Sequence, residues 1–434
     1  MFNPEKYQPY PQVKINRTWP DKIITQAPRF CSVDLRDGNQ ALSTPLTIEK
    51  KLAYFKMLVS LGFKEIEVGF PGASQIEFDF VRTLINDKHI PSDVSIQVLV
   101  QIKAEQIKRT CEALQGSSNA IIHMYNSTSP VQRHIVFRKT DTEIIELAAQ
   151  GVRWVQQFAK QFTIQPILEY SPESFTDTEL TFARDICNAV ISTWQPTPAK
   201  KMIINLPATV EQSTANIFAD QIEWMITNLS NRDSITISIH THNDRGCAIA
   251  AAELGILAGA ERVEGTLFGN GERSGNCDLL TIALNMYSHG IAIPLDFSNI
   301  KNIAKTYTTT HQLPIHPRHP YAGEMIFTAY SGSHQDAIHK GLKQQSTQAA
   351  WDVPYIPIDP SDIGATPDFV KFTSQSGRGG LRYILEKELN LILEDVPDAF
   401  FTQIQTLSEQ SGGEISAAVI KQLYLSKYSH ASQY

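Results

Sequence analysis

The sequence predicts an α/β protein: a closed (β/α)8 TIM barrel followed by small, mainly helical C-terminal subdomains. Three observations carry that expectation. From about residue 29, short β-rich runs alternate with longer segments of helical period. Roughly eight strand–helix units fill about 260 residues, which suits a closed parallel barrel better than an open doubly wound sheet with extra strands. After about residue 290 the rhythm gives way to Pro/His-rich, Gly-rich and helical stretches.

Taken in order, the strand candidates are Phe30–Leu35, Glu65–Phe70, Ser95–Gln101, Ala120–Tyr125, Ile164–Tyr170, Met202–Leu206, Ile235–His240 and Arg262–Leu267. Helical period marks Ile48–Leu61, Thr142–Phe162, Thr178–Ile191, Ala215–Leu229, Ala248–Leu257 and Leu279–His289 between or after them. Thr47 can cap the helix that opens Ile48-Glu49, and Gly62 follows its last apolar residue as a stop. Residues His311–Tyr321 (HQLPIHPRHPY) hold too much proline for a regular helix or a central strand. Then come Ala329–Gln344, a Trp/Pro-rich turn at Trp351–Pro360, a Gly-rich Ser374–Gly380, and helical patterns at Leu381–Ile392, Phe400–Leu407 and Ser416–Lys427. The expected division is 1–28 as an N-terminal extension, 29–310 as the barrel, 311–380 as a linker and lid subdomain, and 381–434 as a helical subdomain.

Composition narrows the function. Hydrophobic residues make up 42% of the 434, enough for a core and too many for a disordered chain. Lys+Arg 38 against Asp+Glu 45 leaves a net charge of -7, which argues against nucleic acid as partner, because phosphate binding needs clustered cations. Small-molecule substrates fit better. The five cysteines (Cys31, Cys111, Cys187, Cys247, Cys277) form no CxxC pair and read as free thiols of a reducing compartment. The start lacks the basic and apolar regions of a secretory signal. The most apolar stretch, Cys247 to Ala260, is interrupted by Glu253 and is shorter than the ~20 residues a bilayer span requires. The expected location is the cytoplasm, away from membranes.

Three segments could carry chemistry. The first, Asp34-Leu35-Arg36-Asp37-Gly38-Asn39-Gln40, stands at the end of the first strand. There a turn at Gly38 can aim Asp37, a hard oxygen ligand, and Arg36, a forked donor, at the barrel mouth; an ordinary surface Arg–Asp pair is the plainer alternative. The second, His240-Thr241-His242-Asn243-Asp244, closes the seventh strand. Residues two apart on a strand share a face, so both imidazoles project inward and can join a carboxylate around a divalent metal; satisfied core histidines are the alternative. Asn243 and Asp244 are more simply helix caps. The third, Gly265 to Asn276, carries Gly269, Gly271 and Gly275, which permit close backbone approach to a bulky ligand. Its spacing is not GxGxxG, and Asn276 could cap the next helix.

Together these segments closely resemble the DRE-TIM metallolyase superfamily and, within it, the 2-isopropylmalate synthases. The shared pieces are Leu35-Arg36-Asp37-Gly38-Asn39-Gln40, His240-Thr241-His242-Asn243-Asp244-Arg245-Gly246, and Gly269-Asn270-Gly271-Glu272-Arg273-Ser274-Gly275-Asn276. Further matches are His123 to Ser127, Glu169 to Glu173, Leu206 to Val210, and Gly332 to Asp336, so the likeness covers nearly the whole chain. It implies a Claisen-type condensation in which acetyl-CoA adds through its methyl carbon to the ketone of 3-methyl-2-oxobutanoate. Thioester hydrolysis then yields 2-isopropylmalate, the first committed step toward leucine. It also implies a divalent cation (Mg, Mn or Zn) held by Asp37, His240 and His242, with Asn276 nearby. Arg36 would polarise the ketone, and His123, Ser171, Asn205 and Thr209 would surround the 2-oxo acid. Asn270, Gly271, Glu272 and Arg273 are the expected acetyl-CoA contacts. Glu173 and His334 are the acid/base candidates, with His334 reaching in from the partner of a homodimer.

Related reactions stay open beside this one: the same condensation on another 2-oxo acid, as in homocitrate or citramalate synthesis, a lyase of the same superfamily, or a non-catalytic relative that kept the metal site. Two departures bear on the choice. Members carry Arg-x-Tyr shortly after the Ile-Asp-Pro turn, whereas here Pro367 stands where that Tyr is expected. Members also continue into a leucine-binding regulatory domain, whereas this sequence stops at Tyr434, so insensitivity to leucine is the expectation.

Overall fold

The computed structural model describes residue 6 and residues 10–428 apart from 347–349, 366–369 and 391, so Pro367 lies outside the described residues. The barrel is as expected. Parallel strands β1 (Arg29–Ser32), β2 (Glu65–Gly69), β3 (Ser95–Gln101), β4 (Ala120–Ser127), β5 (Ile167–Glu173), β6 (Met202–Ala208), β7 (Ile235–Thr241) and β8 (Arg262–Gly265) follow one another around a closed cylinder. Closure pairs β1 with β8, Arg29 facing Arg262 and Ser32 facing Gly265. Every residue of β2, β6 and β7 is buried, as strands covered on both faces require. The covering helices are α1 (Ile48–Ser60), α2 (Gln75–Asn86), α3 (Ala104–Ala113), α4 (Asp141–Gln161), α5 (Leu180–Trp194), α6 (Ala215–Asn228), α7 (Ala248–Ala258) and α8 (Leu279–Tyr287).

Several boundaries differ from the expected ones, for local reasons. β1 stops at Ser32 because Asp34–Gly38 winds into a π-helical turn, with the Gly38 amide on the Val33 carbonyl at 3.1 Å. β5 begins at Ile167, after Thr163 turns left-handed (φ 55) and Pro166 removes a donor. At the other end β4, β5, β6 and β7 run on to Ser127, Glu173, Ala208 and Thr241, which carries polar residues to the mouth. Helices α2 and α3 are not among the segments that periodicity marks. α3 buries only Ile107, Thr110, Cys111 and Ala113, a stripe too thin to stand out.

The barrel interior is not purely apolar. Arg262, fully buried on β8, donates Nε to Glu65, Nη1 to Ser238 (2.9 Å) and Glu264 (2.8 Å), and Nη2 to Gln97 (2.6 Å). The Glu169 carboxylate lies 3.4 Å from the same Nη1. One guanidinium thus joins side chains from β2, β3, β5, β7 and β8 in a single ionic layer.

The chain forms two compact units, one from the N-terminus to Asp296 with 309–312, the other 297–308 with 313 onward, whereas the sequence pattern puts the boundary at residue 310. Most of α9 (Ile300–His311) falls in the second unit, with α10 (Gly332–Gln344), α11 (Arg378–Leu389), α12 (Asp398–Ser411) and α13 (Ala417–Tyr428). Its core holds Ile338, Phe372, Leu381, Leu385, Phe400 and Ile420. The Gly-rich stretch serves packing here, because a Cβ on Gly332 would sit 2.4 Å from the Gly377 amide nitrogen, so α10 and α11 begin in backbone contact. Residues 312–321 are free of helix and strand, as the proline content requires. Among the described residues no helix is long and apolar enough to cross a membrane.

Removing one member of a buried ionic group leaves the others uncompensated, at a cost of about 3–5 kcal/mol. Arg262→Met is therefore expected to lower the unfolding free energy measured in urea by an amount in that range, with the midpoint falling accordingly. A midpoint equal to the wild type's would mean that the layer contributes nothing to stability.

Candidate active site

At the carboxyl ends of the strands, where barrels carry their chemistry, a cavity of about 310 Å³ is lined by Arg36, Asp37, His123, Ser171, Glu173, Asn205, Thr209, His240, His242, Glu272 and Arg273. These residues come from loops and strand ends far apart in sequence. Gln40, Leu99, Tyr125 and Pro207 complete the wall. A larger cavity, about 1020 Å³, opens near the strand starts at Ile167 and Thr236, but its lining has lysines and no histidine.

The π-helical turn after β1 places Arg36 and Asp37 side by side, with Arg36 Nη1 3.1 Å from Asp37 Oδ1 and Arg36 Nε donating to Glu67 Oε2 at 2.5 Å. Asp34 anchors that turn. Buried completely, it accepts from Ser32 Oγ (2.7 Å), from Tyr54 on α1 (3.2 Å) and from the Leu267 amide after β8 (3.1 Å). Burial outweighs these bonds and lifts its carboxyl to about 7.

β7 delivers the two histidines. His240 Nε2 and His242 Nε2 stand 3.4 and 3.3 Å from Asp37 Oδ2, and the ring centroids are 5.0 Å apart. The ligand atoms of Asp37, His240 and His242 all lie within 4.8 Å of one another, and all three residues are buried. Asn276 Oδ1 faces His240 Nε2 at 2.7 Å. The capping alternative for Asn276 fails: α8 starts at Leu279 with Asp278 as its cap, accepting from the Leu280 amide at 3.1 Å. The loop's glycines are needed for its course. Gly275 has φ +103, and a Cβ there would come within 2.0 Å of the Gly269 carbonyl oxygen.

One carboxylate, two imidazoles and an amide oxygen converging in a buried pocket suit a divalent cation. Burial alone would raise Asp37, but Arg36 and the two histidines hold it well below the usual carboxylate range. Burial alone would lower His240, yet Asp37 and Glu264 on either side bring it up to about 10. An imidazole ligand must be neutral, so cation binding here is coupled to proton release.

His123 accepts or donates at both ring nitrogens, 2.9 Å from Glu67 and 2.7 Å from Ser171 Oγ. Asn205 Nδ2 donates to Ser171 Oγ at 3.0 Å and to Glu264 at 3.2 Å. Thr209 Oγ1 accepts from the Ser174 amide (2.9 Å), which leaves the hydroxyl proton to donate elsewhere. Glu173, the last residue of β5, accepts from Ser127. Arg273 spends its fork on Asp244 (2.6 and 3.1 Å) and on the Thr209 carbonyl. Asp244 is thus a loop tie and not a helix cap, whereas Asn243 does accept from the Ala248 amide at the start of α7 (3.2 Å). Asn270 ties its loop to the Gly38 carbonyl (2.9 Å), and neither Asn270 nor Gly271 lines the cavity. His334 belongs to the second unit, exposed on α10, its ring stacked on Tyr355 at 4.1 Å. Sequence reasoning missed Glu67, Gln97 and Glu264. Their signal is there to read: charged and amide residues at buried positions of parallel strands.

Known proteins share both parts of the chain. Residues 27–306 match the HMGL-like family, and residues 324–386 match the family described as alpha-isopropylmalate synthase, post-catalytic domain-like. A 2-isopropylmalate synthase of Parafrankia sp. (strain EAN1pec) is 51% identical over 98% of this chain and 76% of its own length. Those of Ralstonia nicotianae and Pseudomonas savastanoi pv. phaseolicola are each 52% identical, over 98% and 99% of this chain and 75% and 78% of theirs. Among solved structures, hydroxymethylglutaryl-CoA lyase from Pseudomonas aeruginosa (TM-score 0.54, 16% identity, 67% of this chain and 95% of that one) shares the fold. So does HMG-CoA lyase from Brucella melitensis (TM-score 0.53, 16% identity, 66% and 100%).

The Asp34 carboxyl carries a pH signature. Its folded value, about 7, lies above the unfolded value of about 3.9, so its contribution to stability is full below about pH 4 and is lost as pH rises through about 7. Asp34→Asn, uncharged throughout, should flatten this part of the profile by up to about 1.4 kcal/mol per pH unit. Urea unfolding of both proteins between these pH values would measure it; parallel profiles would exclude the shift.

Proposed function

Because the chain belongs to the HMGL-like family and, within it, to the 2-isopropylmalate synthases, we infer that it condenses acetyl-CoA with 3-methyl-2-oxobutanoate. Water then cleaves the thioester, releasing 2-isopropylmalate and free CoA. The observation that carries this reading is the convergence of Asp37, His240 and His242 beside Arg36 at the mouth of a closed barrel.

Asp37, His240 and His242, with Asn276 beside them, are the proposed holders of a divalent cation. When bound, the cation supplies Lewis acidity to the ketone and carboxylate oxygens of the 2-oxo acid. The rest falls to the chain's own side chains. Arg36 is fixed through Nε and Nη1, and among the described residues its Nη2 has no acceptor. That edge is placed to donate to the ketone oxygen, where negative charge grows on attack. The Thr209 hydroxyl, already accepting from an amide, donates to the substrate carboxylate. His123, Ser171 and Asn205 form the polar wall. Leu99, Tyr125 and Pro207 form the apolar part that an isopropyl group would meet. Glu173 and His334 are the groups proposed to move the proton from the acetyl methyl and to activate water. Arg273 and Glu272, at the rim of the same cavity, remain proposed acetyl-CoA contacts together with Asn270 and Gly271.

Thiol release from acetyl-CoA and 3-methyl-2-oxobutanoate tests the reaction. It should require a divalent cation, and pyruvate, two carbons smaller, should be a poorer acceptor by about 10-fold or more, since each methylene changes pocket affinity by about 1–3 kcal/mol. The acceptor 2-oxoglutarate should be poorer as well, because its second carboxylate would meet the apolar wall of Leu99, Tyr125 and Pro207. No thiol release across Mg, Mn and Zn would overturn the reading. Cleavage of a preformed hydroxyacyl-CoA would favour a lyase instead.

The resemblance supports a homodimer in which a second copy supplies His334. Sedimentation velocity combined with activity should then show a dimer as the active species; a fully active monomer would refute it. The buried unpaired thiols of Cys31, Cys111, Cys187 and Cys277 support a reducing compartment, proposed to be the cytoplasm, which cell fractionation can check.

A further inference from the structure

Glu264 sits in the middle of β8 with no exposure at all. A carboxylate sealed in a barrel is tolerated only when its acceptor sites are filled, and here they are filled by donors of different kinds. Oε1 accepts from Arg262 Nη1 at 2.8 Å and Gln97 Nε2 at 2.9 Å. Oε2 lies 2.9 Å from His240 Nδ1 and accepts from Asn205 Nδ2 at 3.2 Å. One oxygen faces the ionic layer, the other faces the site.

The second oxygen decides how His240 is presented. A neutral imidazole has one N–H, and an anionic acceptor at Nδ1 draws the hydrogen to that nitrogen. Nε2 then turns a lone pair toward Asp37 Oδ2 and Asn276 Oδ1, the direction in which the cation donors converge. The same oxygen holds the Asn205 amide, whose Nδ2 also reaches Ser171 Oγ at 3.0 Å, and Ser171 meets His123 at 2.7 Å.

We propose that Glu264 is a positioning residue: it sets the tautomer and ring orientation of His240 for a divalent cation, and through Asn205 it ties that site to the Ser171–His123 wall. The proposal rests on the metal-site reading given above. Its competitor is a purely structural role, in which Glu264 serves only as counter-charge to Arg262.

Mn2+ binding separates the two, because the paramagnetic resonance signal of free Mn2+ disappears on uptake and needs no turnover. Glu264→Gln removes the charge at constant shape. Glu264→Asp keeps a charge for Arg262 while drawing it back from Nδ1, so a folded variant remains if the first precipitates. Each should raise the Mn2+ dissociation constant by about 10–100-fold. Arg262→Lys disturbs the ionic layer and leaves the His240 contact in place, so its dissociation constant should stay within about threefold of wild type, while its urea midpoint falls. Wild-type affinity in a folded Glu264 variant, or equal weakening in Arg262→Lys, would overturn the positioning role. Absence of Mn2+ uptake by the wild type would overturn the metal-site reading itself, and the proposal with it.

Discussion

A guanidinium enclosed in a barrel must be surrounded by acceptors, and those acceptors then become the platform for whatever lies above them. Arg262 occupies that place here, with Glu65, Glu264, Gln97 and Ser238 as hydrogen-bond partners and Glu169 at 3.4 Å. Two of the carboxyls take opposite characters. Arg262 and His240 hold Glu264 well below the usual range against the effect of burial, whereas burial and the neighbouring Glu264 push Glu169 well above it. The ionised member is the one whose other oxygen meets His240. Electrostatic order in the interior is thereby passed upward to the mouth.

Above this layer the loops are tied to one another by side-chain hydrogen bonds. Asp34 joins the turn after β1 to the loop after β8, and Asn270 returns the tie through the Gly38 carbonyl. Arg273 bridges the loops after β6 and β7 by holding the Thr209 carbonyl and Asp244. Glu211 accepts from the Arg245 and Cys247 amides, a second link between the same two loops. Functional groups on loops lose precision unless a scaffold fixes them. Here hydrogen bonds across loop boundaries provide that scaffold.

Much of this is legible in the amino-acid order alone. Alternation of short apolar runs and helical stripes specifies the barrel. Asp37, His240 and His242 stand out as an oxygen ligand and two imidazoles at strand ends, whose joint use as a metal set the family resemblance implies over a surface ion pair and core histidines. The parts that are not legible share a cause. The π-helical turn at Asp34–Gly38 depends on bonds to Leu267 and Tyr54, which local propensity does not contain. Asn276 reads as a cap because its role depends on His240, a neighbour in space only. Glu67, Gln97 and Glu264 lie inside strands, where attention to apolar pattern passes over the very residues that break it. α3 stays hidden because its buried stripe is narrow.

The ionic layer also has a direction in time. Two of its acids, Glu65 and Glu169, enter the chain well before their common cation, which arrives only at residue 262 with the last strand. Because synthesis exposes the N-terminal part first, these two acids emerge from the ribosome before Arg262, Glu65 with only the half-exposed Arg29 beside it, and water must solvate what Arg262 later meets. Their sheet can assemble in part but cannot close dry. The acids of the barrel interior thus meet their full set of partners only when β8, the strand that also closes the cylinder, has been made.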